Sequence, residues 1–325
     1  MNSDRHKVSK PAEPAEPPAE KGRSLLADAR RKLVRDKGAM VCLVVIVAYS
    51  LLAVAGFAYE ALAKRAADDN LPTFAQMADP SRTNEAPSLQ WRNLMGADWL
   101  GRPVIVKTLL GAKVSMTVGL MANAIAVPLG MVLGAVAGYY GRRFDDVIVW
   151  LYTTLSSIPG IVLLIAMRFA FKGVTVLGLD LTGIHGLYIA LGVLSWIGTC
   201  RLVRAETMKL RELDYVVAAR ASGRSRLAVL FRHILPNVMH LGIINFSLGF
   251  VGAIRAEVIL SYLGLGVPVG TPSWGSMINA ARLDLFQGRW WELTAAVGAM
   301  FLLVLALNIF GDRLRDALDP RLRNV

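Results

Sequence analysis

The sequence predicts an all-α membrane protein with six transmembrane helices and both termini in the cytoplasm. Three observations carry that prediction. The 325 residues are 54% hydrophobic and only 18% charged, against roughly 25% charged in ordinary soluble domains. The apolar residues fall into six blocks near the ~20 residues needed to cross a bilayer. The Lys and Arg residues are shared unevenly between the segments that join those blocks.

Residues 1–37 form the expected cytoplasmic N-terminal segment. Its Pro/Glu/Lys-rich part, Met1 to about Gly22, holds too little apolar surface to fold and reads as a disordered tail rather than a secretory signal. "SLLADARRKLVRDKG" then reads either as a basic amphipathic helix on the membrane surface or as a solvated helix. The first span covers residues 38–60, where Gly38 to Tyr59 is free of charge. An external loop, 61–113, follows. The core, 114–311, holds five spans. Val114 to Tyr139 is thinned by Gly119, Gly130, Gly134 and Gly138, which suits close helix contact. Val147 to Met167 carries Pro159-Gly160 as a kink or break. Leu181 to Cys200, Leu241 to Leu263 and Leu293 to Gly311 complete the set, and 312–325 is a second cytoplasmic tail. Leu263 to Gly275, rich in Gly and Pro, reads as a re-entrant or surface loop, with Trp274, Trp290 and Trp291 as interfacial aromatics.

Charge sets the orientation. With the N-terminus inside, the cytoplasmic segments hold ten Lys/Arg in the tail, two at Arg142-Arg143, eight from Arg201 to Arg232 and four after Gly311. The external segments hold seven between Phe57 and Lys113, two at Arg168 and Lys172, and two at Arg282 and Arg289. That asymmetry also accounts for the net charge of +12 without nucleic acid as a partner. Cys42 and Cys200 lie in apolar runs and read as small buried residues. No phosphate-binding G-x-x-x-x-G-K-[ST], nucleophile-elbow G-x-S-x-G, H-E-x-x-H or C-x-x-C pattern occurs, so neither enzymatic activity nor a metal or other cofactor is expected on this chain.

One cytoplasmic stretch departs from its apolar surroundings: "YVVAARASGRSRLAVLFRHILPN", Tyr215 to Asn237, within a loop spanning 206–236. Leu210, Leu213, Val217 and Ala221 recur at helical spacing and predict one apolar face. Ser222-Gly223 breaks the helix. Leu227, Leu230, Phe231 and Ile234 give a second face, and Pro236 ends that helix or bends it into the fifth span. This basic-rimmed elbow reads either as a solvated loop folded back on the bundle or as a protein docking site.

The same stretch resembles the coupling loop of ABC-importer membrane subunits. Ala218-Ala219, Gly223 and Leu235-Pro236 stand at that loop's spacing, while Val217 replaces its usual Glu and His233 stands at its Ile position. "LGRPVIVKTLLGAKVSMTVG", "LSYLGLGVPVGTPSWGSMI" and "LALNIFGDRLRDALDPRL" add to the match, which runs in order from about Met95 to Arg323. Together they resemble the dipeptide/oligopeptide/nickel permease family, and within it the C-type subunit.

The resemblance implies a type I importer permease bundle in the bacterial inner membrane. It implies a homologous B-type permease subunit as partner across a translocation path, two ABC ATPase subunits that use ATP and Mg²⁺, and an extracytoplasmic substrate-binding protein. It assigns ATPase coupling to Tyr215, Ala218, Ala219, Gly223, Arg224, Leu227, Phe231, Leu235 and Pro236. "GADWLGRP", Gly96 to Pro103, is similar to a family segment that faces the binding protein, and reads equally as a structural loop. In the fifth span, Arg255 and Glu257 are intramembrane charges and so candidates for lining the path. Glu257 matches a Glu common in the family, whereas Arg255 stands where an apolar residue is usual. Peptides, glutathione-like solutes, nickel chelates and opines all use this framework. The competing readings are a standalone secondary transporter, which would need buried ion ligands and an inverted repeat, and a membrane receptor or scaffold.

Overall fold

The computed structural model describes residues 25–65, 72–176, 178–268 and 270–318. The N-terminal Pro/Glu/Lys-rich tail lies outside them, as does the end of the C-terminal tail. The described chain is a helical bundle with one short hairpin of two two-residue strands.

Helix α1 (Leu25–Arg35) is amphipathic, as the sequence predicts. It does not stand alone: Ala29 is buried with Ile244 and Leu318. Helix α2 (Lys37–Arg65) is apolar on every side, and Val41, Val44, Leu51 and Val54 stay exposed, as suits a face turned to lipid. Helix α3 (Val104–Tyr140) begins ten residues before the predicted span. At 37 residues it is about 55 Å long, well beyond a hydrocarbon core. Its extra turns carry Lys107 and Lys113, and each is neutralised by a carboxylate, Lys107 by Asp98 and Glu292 and Lys113 by Glu60.

The third predicted span is two helices, α4 (Arg142–Ser156) and α5 (Gly160–Ala170), bent by 91°. Pro159 supplies the reason, because it lacks an N–H and pushes Ile158 out of the helical region. A short hairpin, β1 (Thr175–Val176) and β2 (Leu179–Asp180), leads into α6 (Ile184–Leu210). Helix α6 lies along α3. A Cβ on Gly130, Gly134 or Gly138 would meet the backbone oxygens of Trp196, Cys200 and Arg204 at 2.6, 2.6 and 2.7 Å. These three glycines, four residues apart, form the seam that lets the two backbones touch.

After α6 the chain turns through α7 (Asp214–Ala221) and the single turn α8 (Arg226–Val229). It then passes through a π-helical segment, Leu230–Ile234, into α9 (Leu235–Tyr262). Helix α10 (Trp274–Asp284) opens on a capping box at Ser273 and Ser276. Helix α11 (Trp291–Leu318) continues seven residues past the predicted boundary at Gly311. Among the described residues, five helices are long and apolar enough to cross a membrane, and the bent α4–α5 pair makes a sixth if counted as one.

Trp274 corrects an expectation. It is fully buried, donates from Nε1 to the Thr108 carbonyl at 3.0 Å and meets Tyr49 edge to face. Helix α10 packs into the bundle, so Trp274 serves the core rather than an interfacial belt. Trp290 is 55% exposed.

Candidate functional site

The elbow is built from local rules. Helix α6 stops at Leu210, and Asp214 opens α7 on the favourable side of its dipole. The continuous face expected through Leu210, Leu213, Val217 and Ala221 is therefore broken at 211–213. Val216 is the buried residue of α7, while Leu213 and Val217 are 45% and 47% exposed. Helix α7 ends in a Schellman motif. Gly223 N–H donates to the Arg220 carbonyl at 3.1 Å, and Arg224 N–H donates to the Ala219 carbonyl at 3.4 Å. Gly223 sits at φ +78° with open space where a side chain would go. Ser225 caps the next turn by accepting from Ala228 N–H.

The π segment has a specific cause. Leu235 N–H donates to the Leu230 carbonyl, five residues back. Pro236, next in line, has no N–H to restore the tighter ladder. The sequence expected Pro236 to end or bend the helix; instead α9 runs on from the wide turn.

The elbow therefore has two faces. Val216, Val229, Leu230 and Ile234 pack inward against Val127, Met131, Ala135, Tyr139 and Val203, and Ala219 and Leu235 join them half-buried. Asn237 Nδ2 donates to Tyr215 Oη at 3.1 Å, closing α7 onto α9. Arg211 donates to the Gly138 carbonyl at 3.0 Å, tying the elbow to the end of α3. Outward stand Tyr215, Val217, Ala218, Leu227 and Phe231, with Arg220, Arg224, Arg226 and Arg232 around them. Leu227 and Phe231, expected on an apolar face with Leu230 and Ile234, are 60% and 56% exposed. The site residues thus divide, with Ala219 and Leu235 turned to the bundle and Tyr215, Ala218, Gly223, Arg224, Leu227, Phe231 and Pro236 exposed.

The two intramembrane charges also divide. Arg255 is exposed, and Glu257 is fully buried. Glu257 Oε1 accepts from Ser261 Oγ at 2.7 Å, and Ser261 Oγ accepts from Val267 N–H at 3.3 Å. Glu257 therefore fastens the end of α9 to the loop that follows.

A charge cluster that the sequence reading missed lies at the opposite end of the bundle. Asp98 accepts from the backbone of Leu100 and Arg102, from Arg102 Nε at 2.9 Å and from Lys107 Nζ at 3.1 Å. Lys107 Nζ also donates to Glu292 Oε1 at 2.6 Å. Burial opposes ionisation of Asp98, but Lys107 and Arg102 outweigh it and hold the carboxyl below the usual carboxylate range. The cluster ties "GADWLGRP" to the first turn of α11, and Trp291 Nε1 adds a bond to the Ala97 carbonyl. Gly96 and Gly101, both at φ +73°, shape this segment. The available signal was the placement of Lys107 and Glu292 just outside apolar runs, where an unpaired charge is costly.

The family model described as binding-protein-dependent transport system inner membrane component matches residues 130–324, which include the whole elbow. The chain belongs to that family. A second model, the N-terminal TM domain of oligopeptide transport permease C, matches residues 24–86. Among the relatives, the dipeptide transport system permease protein DppC of Bacillus subtilis is 32% identical over 303 residues, 92% of this chain and 87% of its own. The oligopeptide transport system permease protein OppC of Haemophilus influenzae is 32% identical over 302 residues, 92% of this chain and 90% of its own. The glutathione transport system permease protein GsiD of Pectobacterium atrosepticum is 36% identical over 247 residues, 76% and 78% of the two chains. The protein is thus a permease subunit of an ABC importer of the bacterial inner membrane, as its resemblance implied. Membership favours this over a standalone transporter or a scaffold.

Proposed function

We propose that this permease subunit forms half of a translocation path for peptides or related solutes, and that its elbow couples the path to ATP hydrolysis in separate subunits. Relatives named for dipeptide, oligopeptide and glutathione transport support the solute class. On this reading the other half of the path is a homologous B-type subunit. Two ATPases bind ATP and Mg²⁺ below, a substrate-binding protein delivers solute from outside, and this chain performs no catalysis. The bent α4–α5 pair counts as one of six spans, with both termini and the elbow in the cytoplasm.

The observation that carries the coupling role is the two-faced elbow. Its inner face is locked to α3 and α6, while its outer face leaves Tyr215, Val217, Leu227 and Phe231 exposed inside an arginine rim. Apolar side chains exposed in water beside a membrane protein's basic surface suit a protein groove. A push on the outer face would travel as a rigid-body motion into the spans. Arg255, exposed on α9, remains the candidate for the path, and Glu257 acts beside it by holding the loop after α9.

The test uses the reconstituted importer with Gly223→Pro and Ala218→Asp. Both variants should insert normally, retain less ATPase and lose uptake together with substrate-stimulated ATP hydrolysis. Wild-type uptake in both would show that the elbow is only a connector.

A further inference from the structure

At the end of the bundle opposite the elbow, a cavity of about 390 Å³ opens between the loop after α9, helix α10 and the "GADWLGRP" segment. Small-molecule sites are typically about 300–1,000 Å³. Phe74 and Trp99 form its apolar walls, and Arg102, Lys107, Asn279 and Arg282 bring its polar groups. Arg102 and Lys107 are 8% and 5% exposed, so their charges are fixed in place.

The charge balance inside the cavity is uneven. Arg102 and Lys107 are matched by Asp98 and Glu292, both buried behind them. Arg282 has no carboxylate partner among the described residues; its guanidinium lies 5.8 Å from the Tyr262 ring centroid. The nearby acid Asp284 is paired to Arg289 at 3.3 Å. Glu257 lies one hydroxyl deeper, bound by Ser261, which itself lines the cavity. The mouth thus presents one uncompensated guanidinium beside an amide side chain and two aromatic walls. A guanidinium and an amide are donors suited to a carboxylate, and the aromatic walls suit an adjoining apolar group.

We infer that this cavity is a receiving site for the carboxylate of an incoming solute, with Arg282 as its charge partner and Asn279 as a second donor. The inference rests on the importer reading above and adds where an anionic group is first held by this subunit. The ligand class is a small solute with a free carboxylate, such as a short peptide with an unblocked C-terminus.

The test is a cysteine probe in the purified importer. Cys42 and Cys200 are buried and give little background. Ala280→Cys, with Thr271→Cys as a second probe position, both lining the cavity, is labelled by an anionic and by a cationic thiol reagent of similar size. The anionic reagent should react faster, and Arg282→Gln should lower the anionic-to-cationic rate ratio by about tenfold. Dialanine should slow labelling, and its C-terminal amide should not. Arg282→Gln should remove that protection, whereas Arg282→Lys should retain part of it. An unchanged rate ratio with equal effects of acid and amide at both probe positions would overturn the site. Peptide uptake is measured separately. Loss of the protection with uptake intact removes this site alone, and protection without any peptide uptake removes the solute reading instead.

Discussion

Asp98 shows how a single residue can hold two parts of the chain together. Its carboxylate is the hub for Arg102 and Lys107, and through Lys107 it reaches Glu292 on α11. Removing one member of a buried ion network leaves others uncompensated, at a cost of about 3–5 kcal/mol. Asp98→Asn should therefore lower the thermal stability of the purified complex markedly. The sign of the pH effect follows from the depressed pKa of the Asp98 carboxyl. The stabilisation is complete above the unfolded carboxyl value of about 3.9 and falls away as pH drops through the lower folded value. Melting curves should show no Asp98-dependent change between pH 7 and 5, and a loss at about pH 4 and below that Asp98→Asn lacks. Glu257 belongs to the same scale. Glu257→Ala should reduce the amount of folded complex, and Glu257→Gln, which can still accept from Ser261, should recover most of it. Immunoblots beside uptake rates separate this from a direct role in transport: normal protein with abolished uptake would return Glu257 to the path.

At the scale of elements, the α3–α6 seam and the π segment make different demands. A side chain at Gly134 would push into the Cys200 carbonyl, so Gly134→Leu must separate the helices. Overpacking of this kind costs about 1–3 kcal/mol, and folded yield in detergent should fall. Pro236→Ala restores a backbone donor and should convert Leu230–Ile234 to ordinary α-helix. That re-aims Leu227 and Phe231 relative to α9, and uptake should fall while the subunit still inserts. The small-residue spacing of Gly130, Gly134 and Gly138 was legible in the sequence because it is local to one helix. The π segment was not: proline alone predicts a break or a bend, and only packing of Leu230 and Ile234 into the bundle keeps the helix going. The inner and outer faces of α7 were misjudged for a related reason. Helical periodicity does not carry across 211–213, where the chain turns and the phase resets, so the apolar face drawn through Val217 leaves out Val216, the residue that is buried.

For the whole molecule, the asymmetric Lys/Arg distribution fixes a prediction about topology. Ser88 and Ser225 are both exposed, at opposite ends of the bundle. In spheroplasts an impermeant thiol reagent should label Ser88→Cys and spare Ser225→Cys; the reverse pattern would invert the orientation. The long apolar helices were readable because lipid demands a minimum length and a uniform polarity of each segment. The opposite end was less readable. Its charge cluster joins residues nearly two hundred positions apart, Lys107 with Glu292, and Trp274 reaches back to Thr108. Pairings at that separation leave no periodic trace in a single sequence.

The length of α3 has a mechanical meaning once its two ends are considered together. One end carries Tyr139 and Gly138, fastened to the elbow, and the other carries Lys107, fastened to the charge cluster beside the cavity next to α10. Its C-terminal third is held against α6 along three glycines, just beyond the Pro128 in mid-helix; on the coupling reading proposed above, α3 serves as a lever about 55 Å long. A tilt of about 5° at the elbow sweeps the far end through about 5 Å, close to the ~5.4 Å of one helical turn. On that reading, a small angular stroke at the elbow is enough to reshape a solute-sized opening at the far end of the bundle.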